Sequence, residues 1–226
     1  MFINDRVCEG CGDCSIKSNC LSIQPIDTDF GRKKRVDQSS CNKDYSCNDG
    51  FCPSFVTVLG AEHHKLTAVS ADPISHIESI PDPKIAKIDD LNPYDVLISG
   101  VGGTGVVTTG LILGMAAHLE GLHVSVINQL GFAQKGGPVK GHLKFSKKRN
   151  QLNAARLNIN SADLILGSDL LVASDNESLH LSSPEKTKAI VNTHETITGE
   201  FTRNPDLKYP TAIALERLIH NEEFLI

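Results

Sequence analysis

Apolar and polar positions divide the chain into three stretches of different texture. From about residue 93 onward the pattern is that of alternating strands and helices. Asp95-Val96-Leu97-Ile98-Ser99 is an apolar run closed by a glycine cluster, which predicts a buried strand. The long apolar segment from about Gly103 to Leu119 predicts a helix, and His123-Val124-Ser125-Val126-Ile127 predicts the next strand. Asp163–Leu166 and Ala189–Val191 predict further strands. Strand–helix–strand alternation predicts an α/β, Rossmann-like domain over 93–226 with a mostly parallel sheet and crossover helices. Residues 60–92 are punctuated by Pro73, Pro81 and Pro83 and read as a linker. Residues 1–59 offer only short apolar stretches, Leu21-Ser22-Ile23 and Phe55–Val58. So little apolar surface predicts a small domain that needs a staple such as a metal group.

Composition sharpens this picture at one point. Of the 226 residues, 40% are hydrophobic, enough for a core, and the formal charge of −5 is spread along the chain, so nucleic acid is not an expected partner. No apolar run spans a bilayer and the N-terminus has no export pattern, so the expected location is the cytoplasm, away from membranes. All seven cysteines fall between Cys8 and Cys52. An odd, clustered set without an export signal points to metal rather than to disulfides.

The cysteines form a repeat. The first half reads Cys8-x2-Cys11-x2-Cys14-x5-Cys20 and the second Cys41-x2-Asp44-x2-Cys47-x4-Cys52-Pro53. Adding 33 to positions 8, 11 and 14 gives 41, 44 and 47, so one cysteine of the repeat has become Asp44. Three thiolates spaced three residues apart can wrap three irons of a cubane, and in two-cluster ferredoxins the fourth cysteine of each run ligates the other cluster. Carried over, Cys8, Cys11, Cys14 and Cys52 hold one [4Fe–4S] cluster, while Cys41, Cys47 and Cys20 hold three corners of a second. Asp44 faces the fourth corner as an oxygen ligand, a neighbour of bound water, or the mark of a [3Fe–4S] cluster. Oxygen holds iron less firmly than thiolate, so this second cluster is expected to be the labile one. Two plainer readings stand beside this: structural zinc on Cys8, Cys11, Cys47 and Cys52, and an ordinary turn role for Asp44. Gly31-Arg32-Lys33-Lys34-Arg35 reads as a solvated hairpin tip, or as a docking patch for an acidic electron carrier.

In the second region Gly100-Val101-Gly102-Gly103-Thr104-Gly105 fits G-x-G-x-x-G between a strand and a helix. Its candidate cofactor-binding residues are Gly100, Gly102, Gly103 and Gly105. The acid that would read a dinucleotide ribose is missing, because Asn128 and Gln129 occupy that position. A glycine-packed turn without ligand, or contact with a phosphate or partner domain, fits as well. Lys135, in Gly131-Phe132-Ala133-Gln134-Lys135-Gly136-Gly137-Pro138, is a candidate for pairing with a phosphate or carboxylate, or else a solvated loop lysine. His118, His142 and His194 show no metal spacing, and no hydrolytic constellation is present.

Taken together, Val7–Cys14, Ser39–Asp44 and Gly50–Phe55, with Gly100–Gly105, Ala133–Gly137, Val191–Glu195 and Phe201–Leu207, resemble the central part of the fused bacterial indolepyruvate ferredoxin oxidoreductases. The resemblance implies an α+β ferredoxin-like iron–sulfur domain followed by a gamma-type oxidoreductase domain. It implies an enzyme that decarboxylates a 2-oxo acid, typically an arylpyruvate, on thiamine diphosphate and passes electrons through iron–sulfur clusters to ferredoxin. Thiamine diphosphate and magnesium are expected on partner domains or subunits, since the Gly-Asp-Gly start of their binding module is missing here. This chain is therefore expected to be inactive alone. The gamma-type domain is expected to be C-terminally truncated, so that the chain is a fragment, split-gene product or subunit.

Overall fold

The computed structural model describes residues 1–60, 81, 88, 90–131, 136–204, 206–219 and 223–225. Most of the expected linker, and Lys135, therefore lie outside the described residues.

A six-stranded sheet organises the second region, in the order β10-β9-β8-β5-β7-β6. Strand β5 (Tyr94–Val101) is buried along nearly its whole length. Strand β8 (Leu164–Gly167) runs parallel to it, β9 (Lys188–Val191) parallel to β8, and β10 (Glu223–Leu225) parallel to β9. On the other side, β7 (Pro138–Ser146) is antiparallel to β5 and also to β6 (His123–Leu130). The mostly parallel sheet expected from the sequence is thus corrected to a mixed one. The reason is local: only 131–137 join β6 to β7, too few residues for a crossover helix, so the chain turns back as a hairpin. The expected crossover from β5 through helix α2 (Val106–Leu119) does occur, and it lays β6 parallel to β5 with β7 filling the gap between them.

Alternation along β5 sends Val96 and Ile98 to one face, where they pack with Val106 of α2 and Leu143 of β7. Helix α2 comes close to the sheet because Gly110 and Gly114 face it; a Cβ on Gly114 would lie 2.9 Å from Val126. Leu97 and Ile165 project to the opposite face. There they meet α3 (Leu170–Ala173), α4 (Asn176–Leu181) and α6 (Thr211–Ile219) through Leu170, Ala173, Leu181, Ala214 and Leu218. Buried Asp169 locks this layer together, capping α3 at Val172 N (2.9 Å) and accepting a bond from Val101 N at the end of β5.

The cysteine region is built from two small antiparallel pairs. Strand β1 (Phe2–Ile3) pairs with β4 (Phe55–Val56), and β2 (Ile23–Thr28) forms a hairpin with β3 (Gly31–Val36). Between them lie helix α1 (Asp13–Ser18) and a 3₁₀ turn at Ser46–Asn48. The two regions touch where α5 (Gly199–Arg203) packs on β2 and α1. Arg203 Nε donates to Asn19 Oδ1 at 2.9 Å, and Leu21 sits against Gly136 and Gly199. Among the described residues no helix is long and apolar enough to cross a membrane.

Candidate metal centre

The β1–β4 pairing brings the first cysteine run to the last cysteine. Asn4 N donates to Ser54 O at 2.8 Å, and the Asn4 carbonyl accepts from Val7 N and Cys8 N. Cys8 and Cys52, far apart in sequence, thereby become neighbours. Gly10 and Gly12 then turn the chain through left-handed backbone on either side of Cys11, with φ of 75° and 81°. Gly10 is pressed onto β3 so tightly that a Cβ would come 2.3 Å from the Arg32 carbonyl oxygen. The result is a cavity of about 230 Å³ lined by Cys8, Cys11, Cys14, Cys47 and Cys52.

A buried cation closes this cavity. Lys34, expected at a solvated hairpin tip, is 2% exposed and lines the same space. The two-residue period of β3 puts it on the face of Val36, whose cross-strand partner is the fully buried Ile23. That apolar neighbour two positions on was the signal in the sequence; the flanking basic residues hid it. Burial pushes the Lys34 ammonium pKa down, and burial pushes the Cys14 thiol up.

Burial raises the Cys47 thiol, and nearby Cys20, Cys41 and Cys14 raise it further. Asp44 is exposed and builds a turn: its Oδ1 accepts from Ser46 N at 3.3 Å and Ser46 Oγ at 3.1 Å. Its backbone nevertheless repeats that of Cys11. Lys43 and Tyr45, on either side of Asp44, take φ of 59° and 61°, the left-handed conformation of Gly10 and Gly12 33 positions earlier. The repeat thus extends to backbone handedness, where lysine and tyrosine adopt what glycine adopts freely.

These residues fit an iron–sulfur group. Several cysteines around one cavity suit a group with several thiolate-bound irons. Cys8, Cys11, Cys14 and Cys52 would hold it at the first position, with a buried ammonium beside it.

Asp44 and Cys20 also border a second, open cleft of about 760 Å³ between the two regions, whose far wall is Gly102, Gly103, Gly105, Val106 and Gly136-Gly137. Of the candidate glycines, Gly100 ends up inside β5, where a Cβ would meet Thr104 Oγ1, Ser168 and Val106, so it is needed for packing. The Gly102 amide donates to Gly137 O at 2.8 Å and is not free for a pyrophosphate. Gly103 and Gly105 supply positive φ at the turn into α2. With β7 between β5 and β6, the end of β6 lies one strand farther from this turn than in a dinucleotide site. Asn128 is tucked toward Gly110 and Gly141. The geometry is that of a glycine-packed turn.

His142, seen in the sequence without a role, is buried on β7 beside two buried lysines. Its Nδ1 accepts from Leu157 N at 3.3 Å, and burial lowers its pKa. Lys140 pairs with Asp175 (2.8 Å) and Glu177 (2.7 Å), and Lys144 with Asp95 (3.3 Å).

The family model described as pyruvate ferredoxin/flavodoxin oxidoreductase matches residues 95–221. The chain belongs to this family. The match lies within the mixed sheet and its helices; the cysteine region is outside it. Ketoisovalerate oxidoreductase subunit VorA of Methanothermobacter marburgensis is 30% identical over 141 residues, covering 62% of this chain and 27% of that protein. Indolepyruvate oxidoreductase subunit IorB of Methanothermobacter thermautotrophicus is 30% identical over 80 residues, 35% of this chain and 39% of that protein. IorB of Archaeoglobus fulgidus is 38% identical over 58 residues, 26% of this chain and 29% of that protein. The chain thus spans well under half the length of each of these curated relatives. Among solved structures, pyruvate oxidoreductase subunit PORC of Thermotoga maritima has a TM-score of 0.37 at 19% identity, covering 50% of this chain and 55% of that one. The gamma subunit of keto/oxoacid ferredoxin oxidoreductase from Geobacter sulfurreducens has a TM-score of 0.31 at 22% identity, covering 42% and 50%.

Proposed function

We propose that this member of the pyruvate ferredoxin/flavodoxin oxidoreductase family is the electron-transfer and scaffold portion of a 2-oxoacid:ferredoxin oxidoreductase acting on an arylpyruvate such as indolepyruvate. Residues 1–59 act as a two-cluster ferredoxin-like domain and 93–226 as a gamma-type domain, joined by 60–92. Thiamine diphosphate and magnesium belong to partner subunits or domains, where the 2-oxo acid loses carbon dioxide, and ferredoxin is the final acceptor. Cys8, Cys11, Cys14 and Cys52 hold a [4Fe–4S] cluster. Cys20, Cys41 and Cys47 hold a second, with Asp44 at its fourth corner.

The carrying observation is that cysteines from both halves of the repeat, Cys8, Cys11, Cys14, Cys47 and Cys52, line one cavity. Cys52 beside the first run supports the crossed arrangement of two-cluster ferredoxins. The matching left-handed residues around Cys11 and Asp44 support a second site of the same construction. The arylpyruvate preference draws on the two relatives named as indolepyruvate oxidoreductase subunits.

Anaerobic purification with iron, sulfide and zinc analysis tests this reading. About seven to eight irons with matching sulfide, and two distinct EPR signals after dithionite, are expected. About one zinc without sulfide would replace the reading with a zinc-stapled binding module. Asp44→Cys sharpens the assignment: the second signal should survive oxygen exposure longer than in the wild type, and equal loss in both would remove Asp44 from the site.

A further inference from the structure

Among the described residues three lysines are buried, and two of them have carboxylate partners. Lys140 meets Asp175 and Glu177, and Lys144 meets Asp95. Lys34 is the exception: its Nζ has no hydrogen-bond partner among the described residues. An ammonium taken out of water without a partner is among the costliest groups a fold can hold. Its charged surroundings make matters worse, because Arg32 on the same strand is a like charge. Glu9 and Asp13 also border the cavity, yet both are exposed, and Asp13 pairs with Lys17 at 3.5 Å. Cys14, Cys8 and Cys11 line the same cavity as Lys34, and each favours its charged form.

The backbone allows Lys34 little choice. It sits mid-strand on β3 opposite Pro25, and the cysteine loop is clamped onto that strand at Gly10. Its side chain therefore ends among the cysteines whatever occupies the cavity. Of the second group, Cys47 borders the same cavity as Lys34 but Cys20 and Cys41 do not, and no lysine or arginine lines the cleft beside Cys20 and Asp44 among the described residues.

We propose that Lys34 is a tuning residue: its ammonium donates to sulfur of the group held by Cys8, Cys11, Cys14 and Cys52 and raises the reduction potential of that group alone. The inference rests on the iron–sulfur reading above. Its physical basis is that reduction adds negative charge to an already anionic centre. A fixed positive charge in a poorly solvated pocket stabilises the reduced form more than the oxidised one, and hydrogen bonds to cluster sulfur act in the same direction. The ammonium in turn acquires the anion that the polypeptide does not supply.

An EPR-monitored redox titration of the anaerobically purified full chain tests this, comparing wild type with Lys34→Met, Lys34→Gln and Lys34→Arg, each with iron and sulfide counted. The methionine and glutamine variants should load normally and shift the first signal's reduction equilibrium about tenfold or more toward the oxidised form, which is about 59 mV per tenfold for one electron. The second signal should stay in place, and arginine should restore most of the first. Lys34→Gln is the decisive variant if Lys34→Met loads poorly, because it keeps a donor, one bond shorter, while losing the charge. A loaded neutral variant with an unshifted first signal would overturn the proposal and leave the cluster reading intact. A wild-type chain without inorganic sulfide would overturn the cluster reading and the proposal with it.

Discussion

The cysteine region and the sheet region are held together by different means. Among the described residues, the buried apolar side chains before residue 60 are Ile3 and Ile23, joined by the buried polar Ser15, Ser22, Lys34 and Ser54. The sheet region instead buries a continuous set from Leu97 through Ile165 and Leu170 to Leu218 on one face, and Val96, Ile98, Val106 and Leu143 on the other. Even its buried lysines are paired. The difference teaches where each region's stability comes from. One folds around its own hydrocarbon. The other has too little hydrocarbon for that, and on the proposed reading it draws on the group held by its cysteines.

The strongest way to break this contrast is to strip the metal. Removal of iron and sulfide should expose amides across residues 1–59 to hydrogen exchange, while those of β5 and β8 stay protected. Equal protection before and after would show that the small region stands on its own.

Gly10→Ala comes next in size. It combines a left-handed backbone with a backbone oxygen 2.3 Å from the new Cβ, so about 2 kcal/mol or more of strain is expected, with loss of iron from the first site. Gly31→Ala, also at positive φ but with open space around it, should cost only about 1 kcal/mol and retain its iron. Similar iron contents in the two variants would remove the clamp on β3 from the account.

Acid should weaken the sheet region through a buried histidine. The folded pKa of His142 lies below its ordinary value because of burial, with the positive charge of Arg156 contributing. The unfolded chain therefore binds a proton more readily. The stability contributed by neutral His142 is present above about pH 6.5 and is lost as pH falls toward the depressed folded value. Protonation would also remove the acceptor for Leu157 N. Thermal melts of the wild type should show this loss, and His142→Asn should flatten it; parallel pH profiles would contradict the assignment.

The smallest effect concerns the two halves of the repeat. Lys43→Gly and Tyr45→Gly should each stabilise the second loop by roughly 0.5–1 kcal/mol, the relief of left-handed strain less the entropy that glycine adds to the unfolded chain. Urea melts of the loaded protein would register the gain, and a loss would mean that the side chains make contacts outweighing the strain.

Much of the architecture was legible along the chain. The apolar run of β5, its glycine turn and helix α2 followed from hydrophobic period and glycine spacing, because local steric rules suffice for them. The cysteine repeat was legible because ligand spacing is a property of sequence distance. Strand β7 was not foreseen. Val139, Gly141, Leu143 and Phe145 do alternate with Lys140, His142 and Lys144, but charged positions read as solvent-facing. They are buried here because Asp95, Asp175 and Glu177, distant in sequence, come to meet the two lysines. The glycine motif left a ligand loop and a packed turn both open; a Cβ on Gly100 would meet Ser168, and the Gly102 amide donates to Gly137, contacts that depend on distant residues.

By itself, then, the sequence determined the spacing of the thiols, the Cys11-to-Asp44 exchange, and the strand–turn–helix that opens the sheet region. Each depends on neighbours within a few positions or on a simple repeat. Only the tertiary structure decided that β7 inserts between β5 and β6, that β1 pairs with β4, and that Lys34 turns inward without a carboxylate. Those outcomes depend on which distant surfaces meet, and burial, which sets the energy of a charge or a thiol, exists only once they have met.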